Sequence, residues 1–245
     1  MVNDAEMLEH ACADAWPPQV ERALGGWRLR AAGGFTGRAN SALAIGDPDG
    51  PVRRALESVC EFAHAHGIEP MVQAILGGPV EDVLASSGWV PHDDHPAGNE
   101  VSVLLGPLGR AEEHAPTRVL GTPTPGWWEL TVGTTEPTDA QRHVLTGRPP
   151  AGFGVAEDGG STTGAVRGVL VGDVLHVARL AVRPELRRGG LATALMGAIG
   201  GWAAGLGATR CALQVSVRNS GALALYERLG FREHHRYRYW VPAAP

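Results

Sequence analysis

Between Val177 and Ala194 the chain reads Val-Ala-Arg-Leu-Ala-Val-Arg-Pro-Glu-Leu-Arg-Arg-Gly-Gly-Leu-Ala-Thr-Ala. An apolar, β-branched run stops at Pro184, a loop of Arg and Gly follows, and from Leu191 onward Ala, Leu and Met recur at helical spacing. The pattern predicts strand, turn, helix. A turn of that kind gathers unpaired backbone N–H groups and the positive end of a helix dipole into one small volume, which makes it an anion site. Gly189 and Gly190 carry no Cβ and tolerate positive φ, so the backbone there can approach an anion closely, and Arg187 and Arg188 add charge.

The 245 residues, 44% of them hydrophobic, suffice for one large domain or two small ones. No apolar run approaches the length of a membrane span, so no membrane partner is expected. The acidic start, Met-Val-Asn-Asp-Ala-Glu, lacks the layout of a signal peptide, and a cytoplasmic location is expected. Cys12, Cys60 and Cys211 form neither a disulfide framework nor a metal-ligand spacing and read as small buried hydrophobes. His64 with His66, and the run His92-Asp93-Asp94-His95, lack a third ligand at clear spacing, so no metal is expected. A net charge of −5 disfavours nucleic acid as a partner. All 21 basic residues are Arg, which leaves no lysine on this chain to be modified.

In order, the pattern predicts a helix over 5–15, a strand over 26–31 pairing back with 36–45, and a turn at Asp47-Pro48-Asp49-Gly50. A helix over 51–66, a strand over 69–76, a short helix over 79–87 capped by Gly88, and strands from Trp89 and over 101–105 complete the first half. Residues 106–125, rich in Pro, Gly and charge, read as a linker. The second half opens with an extended run over 127–132 and a helix over 139–146. A three-strand meander over 153–157, 165–171 and 174–182 follows. A helix over 191–206, a strand over 209–217, a helix from Asn219 and a strand over 231–240 end the chain. The two halves repeat one order of pieces, with Gly88-Trp89 standing where Gly230-Phe231 stands.

Arg187, Gly190 and Ala192 fit the [QR]-x-x-G-x-[GA] signature of the GNAT acyltransferase superfamily, and the chain resembles that family. The run Asn219-Ser220-Gly221-Ala222-Leu223-Ala224-Leu225-Tyr226-Glu227-Arg228-Leu229-Gly230-Phe231 is similar to the family's motif on its last helix. The resemblance implies an α/β (α+β) fold of two GNAT-like lobes, each a mixed, mostly antiparallel sheet flanked by helices. The expected division is a degenerate lobe over 1–108, a linker over 109–125 and a catalytic N-acetyltransferase domain over 126–245. Where the second half has its Arg-Gly turn, the first has Asp47-Pro48-Asp49-Gly50-Pro51, whose carboxylates would repel a phosphate.

By the same resemblance the co-substrate is acetyl-CoA and the acceptor a primary amine on a small molecule, peptide or protein. Leu180, Ala181 and Val182 would run beside the pantetheine arm, and Arg187, Arg188, Gly189, Gly190, Leu191, Ala192 and Thr193 would cradle the pyrophosphate. Asn219 would bond the cofactor arm; by itself it reads equally as a helix N-cap. Acyl transfer needs a neutral amine, a stabilised oxyanion and a protonated leaving thiolate. Tyr226 matches the family's proton donor, and it also lies on an apolar helical stripe with Ala222, Leu225 and Leu229. His176, five residues before Ala181, is the candidate base; its other reading is a satisfied strand histidine, with waters removing the proton. The competing class of function is a non-catalytic acyl-CoA sensor whose N-terminal lobe binds a protein partner. Acceptor identity and oligomeric state are not legible in the sequence.

Overall fold

Local chemistry accounts for most of the element boundaries in the computed structural model, which describes residues 4–95, 98–110 and 117–243. Helix α1 spans Asp4–Asp14, and strands β1 (Val20–Leu24) and β2 (Trp27–Ala31) form a hairpin across Gly25, whose φ of +54° suits glycine. Strand β3 is only Ala42–Leu43; helix α2 (Val52–Ala65) then ends before Gly67, which sits at φ +63°. Strand β4 (Val72–Ile75), helix α3 (Pro79–Ser86, with Pro at its first turn), β5 (Trp89–Pro91) and β6 (Glu100–Gly106) follow. Next come β7 (Thr117–Leu120), α4 (Pro125–Val132) and α5 (Asp139–Thr146). The meander is β8 (Ala151–Asp158), β9 (Ser161–Val171) and β10 (Val174–Val182), and α6 (Leu191–Ala204), β11 (Arg210–Ser216), α7 (Ser220–Arg228) and β12 (Arg232–Pro242) close the chain.

Three sequence expectations are corrected, and one strand carries no signal in the sequence. The run 127–132 is helix α4, not extended: its Trp-Trp-Glu-Leu-Thr-Val composition favours strand, but the caps override it. Thr124 Oγ1 accepts the Trp127 amide at 3.1 Å, Pro125 opens the helix, and Gly133 closes it in the left-handed region. Strand β1 was not foreseen, because its Val-Glu-Arg-Ala-Leu run is almost wholly exposed and shows no apolar face. The partner of β2 over 36–45 shrinks to Ala42–Leu43, since Asn40 accepts the amides of Ala32 and Gly34 through Oδ1 and holds the intervening chain as a loop. Within the expected linker over 109–125, residues 111–116 lie outside the described residues, and 117–120 is strand β7, paired antiparallel with β8.

The chain packs into two compact units, and each is a mixed, mostly antiparallel sheet flanked by helices, the α/β (α+β) class expected. One unit holds the residues to Val103 together with Val215–Leu223 and the chain from Glu233 onward. Its strands run in the order β1-β2-β3-β4-β12, with β3 parallel to β4 and β12 antiparallel to both β4 and β5. Leu56, Val59 and Phe62 on one side of α2 bury against Leu29, Val72 and Trp240 of the sheet. Each such side chain contributes about 1.5–3 kcal/mol by leaving water.

A polar chain runs from the surface into the core of the same unit. His234 Nε2 meets Asp4 at 2.9 Å, and His234 and His235 face each other through Nδ1 at 2.8 Å. His235 Nε2 reaches Glu9 at 2.8 Å, Gln73 donates to the other Glu9 oxygen at 2.6 Å, and Arg30 donates to Gln73 at 2.9 Å. Burial pulls the Arg30 guanidinium down to about 10, still charged at neutral pH, so the Glu9 carboxylate reaches its counter-charge through an amide bridge.

The second unit holds Leu104–Gln214 and Ala224–Arg232, with strand order β11-β10-β9-β8-β7. Only β10 with β11 is parallel; the other pairs are antiparallel. Helix α6 lies close on β9 because Gly164 and Gly168 are bare: a Cβ there would stand 2.8 Å from Leu195 and 2.6 Å from Ile199. Trp127 fixes α4 by donating its indole N–H to the Val166 carbonyl at 3.1 Å. Thr138 and Gln141 form a reciprocal capping box at the start of α5.

Glu9 is fully buried, so Glu9→Ala leaves the Gln73 amide and the His235 ring without their acceptor and Arg30 without its counter-charge. The variant is expected to lose about 2–4 kcal/mol of stability. Urea unfolding followed by circular dichroism measures it, and a loss below about 0.5 kcal/mol would mean the chain carries no net energy.

Candidate functional site

Strand β10 is paired on both edges only at its start. Its parallel register with β11 runs from Val174↔Arg210 to Val177↔Leu213 and stops, while β10 itself continues five residues to Val182. On the other edge the ladder to β9 breaks between Ala178 and Ala181, a bulge, and resumes at Ala181↔Ala165 and Val182↔Gly164. Ala178 through Arg183 are accordingly half-buried where the residues before them are buried. A strand that loses one partner presents backbone N–H and C=O groups along that edge, which is what an extended amide-bearing ligand pairs with. Leu180, Ala181 and Val182 lie on this stretch.

The chain then makes a single 3-10 turn, Pro184–Leu186, and enters α6 through Arg187 to Gly190. Arg188 at φ +65° and Gly190 at φ +83° are both left-handed. Arg187 Nε donates to the Val182 carbonyl at 3.2 Å, tying the turn to the end of the strand. Gly190 is the N-cap residue and has no side chain to cap with, while Ala194 N–H donates to the Gly190 carbonyl at 3.0 Å. The amides of Leu191, Ala192 and Thr193 therefore have no acceptor within the helix. A Cβ on Gly190 would point into open space, with nothing within 4 Å. An anionic group such as a pyrophosphate fits this cradle of bare amides, dipole and two arginines.

Tyr226, on α7, is 8% exposed, and its ring lies 5.7 Å from that of Phe231. Its hydroxyl has no hydrogen-bond partner among the described residues. Burial, then the nearby Cys211, pushes the phenol up to about 12, so it holds its proton throughout the physiological range. Cys211 is itself buried, its thiol pushed far up by burial, and is no nucleophile. Asn219 packs with the first unit; its Oδ1 accepts the Ala222 amide at 3.1 Å, so it caps α7, and its Nδ2 donates to no described residue. His176 sits in the doubly paired part of β10, opposite Ala212 on one side and Val169 on the other. It is 1% exposed, with Nε2 3.4 Å from Gln214 Oε1.

Sequence reasoning missed Arg179, which stands at the bulge with φ +56°, and Arg167, fully buried opposite Ala178 in the β9–β10 ladder. The one signal available was a charged residue interrupting an apolar strand run, at both positions. Among the described residues no group of three or more His, Cys, Asp or Glu side chains is placed to hold a metal ion, and no helix is long and apolar enough to cross a membrane.

A family model described as "Probable histone acetyltransferase Rv0428c C-terminal" matches residues 3–240. "Probable histone acetyltransferase Rv0428c" of Mycobacterium tuberculosis (strain ATCC 25618 / H37Rv) is 32% identical over 238 residues, covering 96% of this chain and 73% of that protein. "Uncharacterized N-acetyltransferase YobR" of Bacillus subtilis (strain 168) is 25% identical over 247 residues, covering 96% of this chain and 98% of that protein. In fold, the chain is similar to a GCN5-related N-acetyltransferase from Kribbella flavida. That match has a TM-score of 0.73 at 15% identity, covering 100% of this chain and 98% of that one.

Gly190→Val fills the open space before the amides of α6 with a branched side chain. At φ +83° it also brings about 1–2 kcal/mol of local strain, which a domain of this size tolerates. Calorimetric titration with CoA is expected to show binding in the parent and none in the variant, with unchanged far-ultraviolet dichroism. Equal affinity in both proteins would remove the anion from this turn.

Proposed function

Because the chain belongs to the Rv0428c C-terminal family of probable histone acetyltransferases, within the GNAT superfamily, we propose that it is an acetyl-CoA-dependent N-acetyltransferase acting on a primary amine by direct attack. The observation that carries the proposal is the uncapped, glycine-opened start of α6 placed immediately after the freed edge of β10. Acetyl-CoA, when bound, supplies an activated acetyl group at one end and an anionic pyrophosphate at the other. Arg187 to Thr193 would hold the anion, through backbone amides and two guanidiniums. Leu180, Ala181 and Val182 offer backbone groups to the extended arm, and an amide near Ala181 or Val182 would steady charge developing on an acyl oxygen. The assignment of Asn219 to the arm rests on the family resemblance and on its uncommitted Nδ2.

Tyr226 is the proposed acid. Its proton stays on Oη at neutral pH because burial disfavours the phenolate, and an unpartnered hydroxyl is able to turn toward a departing thiolate. The base assigned to His176 from sequence offset is buried and paired on both strand edges, so we assign removal of the amine proton to solvent instead. His176→Asn is then expected to leave the shape of the pH–rate profile unchanged, and loss of its acid limb would return the base role to the histidine.

We propose that the lobe over 1–108 binds no cofactor. In its equivalent turn, Asp47 Oδ1 already accepts the amides of Asp49 at 2.9 Å and Gly50 at 3.4 Å, so the donors an anion would need are consumed by a carboxylate. One molecule of cofactor per chain is the expected stoichiometry. The mycobacterial relative's name makes basic protein tails the first acceptors to test, beside small amines and peptides.

Thiol release from acetyl-CoA across such a panel tests the activity, and Tyr226→Phe tests the mechanism. The substitution keeps the ring and its packing against Phe231 and removes one hydroxyl. kcat is expected to fall by about 10²–10⁴ while KM for acetyl-CoA holds, with rescue by a donor whose thiol is more acidic. Parental turnover in the variant would place Tyr226 in the core and favour an acyl-CoA sensor.

A further inference from the structure

Arg179 occupies a conformation that a side chain avoids. Its φ of +56° falls inside the β10 bulge, where glycine would sit without strain, yet the sequence places the bulkiest cation there. Such strain persists only where the surroundings over-determine it, and it gathers at working sites. What the side chain does is visible. Its Nη1 donates to the Thr131 carbonyl at 3.4 Å, in the last turn of α4 just before the closing Gly133. That end of a helix carries the negative pole of its dipole and unpaired carbonyls, which a guanidinium satisfies.

Arg167 does the same for the next helix. Standing opposite Ala178 across the ladder, it donates to the carbonyls of Leu145 at 2.8 Å and Val144 at 3.1 Å, at the end of α5. Burial, and after it the charge of Arg179, pulls the Arg167 guanidinium down to about 9. Two like charges set side by side are costly, and two helix C-termini offset them. The pair thus pins α4 and α5 to the place where β10 parts from β11.

We propose that Arg179 is a positioning residue for acyl transfer: anchored on the end of α4, it holds β10 in its bulged form, so that Leu180 to Val182 keep the freed edge that faces the acyl group. The role rests on the acyltransferase reading above. It makes the bulge and α4 a single mechanical piece, distinct from the pyrophosphate turn, which starts eight residues further on at Arg187.

The test compares Arg179→Gly, Arg179→Ala and Arg179→Lys with the parent, in the whole chain. Hydrogen exchange is followed at two amides. Arg183 N–H donates to the Thr163 carbonyl at 3.0 Å just past the bulge, and Gly133 N–H donates to the Glu129 carbonyl at 2.9 Å at the end of α4. Both amides are expected to exchange about tenfold faster or more in the Gly and Ala variants, and less so in the Lys variant, which keeps the charge. In thiol release, kcat is expected to fall about tenfold or more, KM for acetyl-CoA to stay within about threefold, and the Lys variant to recover part of the loss. A purely structural arginine predicts the reverse for Arg179→Gly, since glycine relieves the strained φ. Parental exchange and parental kcat in that variant would overturn the proposal. A parent that releases no thiol would instead overturn the acyltransferase reading, and the exchange measurement would still decide whether Arg179 holds the bulge.

Discussion

A parallel strand pair that comes apart halfway leaves a wedge of unpaired backbone, and the second unit is built around such a separation. β10 and β11 run together only to Val177↔Leu213. The bulge that follows shifts β10 against β9, and the register recovers at Ala181↔Ala165, so the strand stays attached on one side while its other edge is free. Helix α6 makes the separation useful. It is pressed onto β9 through Leu195 and Ile199 over Gly164 and Gly168, and that contact fixes where the helix begins relative to the end of the strand. The start of α6 and the edge of β10 are therefore both held against β9.

The two units differ in the turn that leads into their comparable helices. Each has a helix entered from a turn after a strand, and in each the turn contains a left-handed residue: Asp49 at φ +58° in one, Arg188 and Gly190 in the other. In the first unit an aspartate side chain folds back on the amides of its own turn; in the second, the N-cap residue has no side chain and the amides stay open. Function resides in that local chemistry and not in the shared architecture.

Burial of Tyr226 sets a compromise. A phenol pushed up to about 12 is a weaker acid than one in water, which makes it a poorer donor to a thiolate, but it is never lost to ionisation at working pH. The hydroxyl is unpaired among the described residues, so no existing bond would be spent if it donated. Core packing and an open hydroxyl are thus not alternatives for this residue: the ring packs against Phe231 while the hydroxyl keeps its proton.

The sequence by itself determined the parts whose signals are local. Pro184 and Gly189-Gly190 mark the strand end and helix start, Asn219 marks the cap of α7, and periodicity marks the meander and α6. One local misreading, the run 127–132, arose because two tryptophans weigh toward strand while Thr124, Pro125 and Gly133 decide for helix. Only the tertiary structure decided where β10 leaves β11, that His176 lies in the paired part of the strand, that Arg179 takes a left-handed backbone at the bulge, and that Glu9, Gln73 and Arg30 share one buried chain. These depend on which residues meet across strands far apart in sequence, and a one-residue change of register would exchange every inward side chain for an outward one. Spacing along the chain carries the period of an element; it does not carry the partner that the element will find.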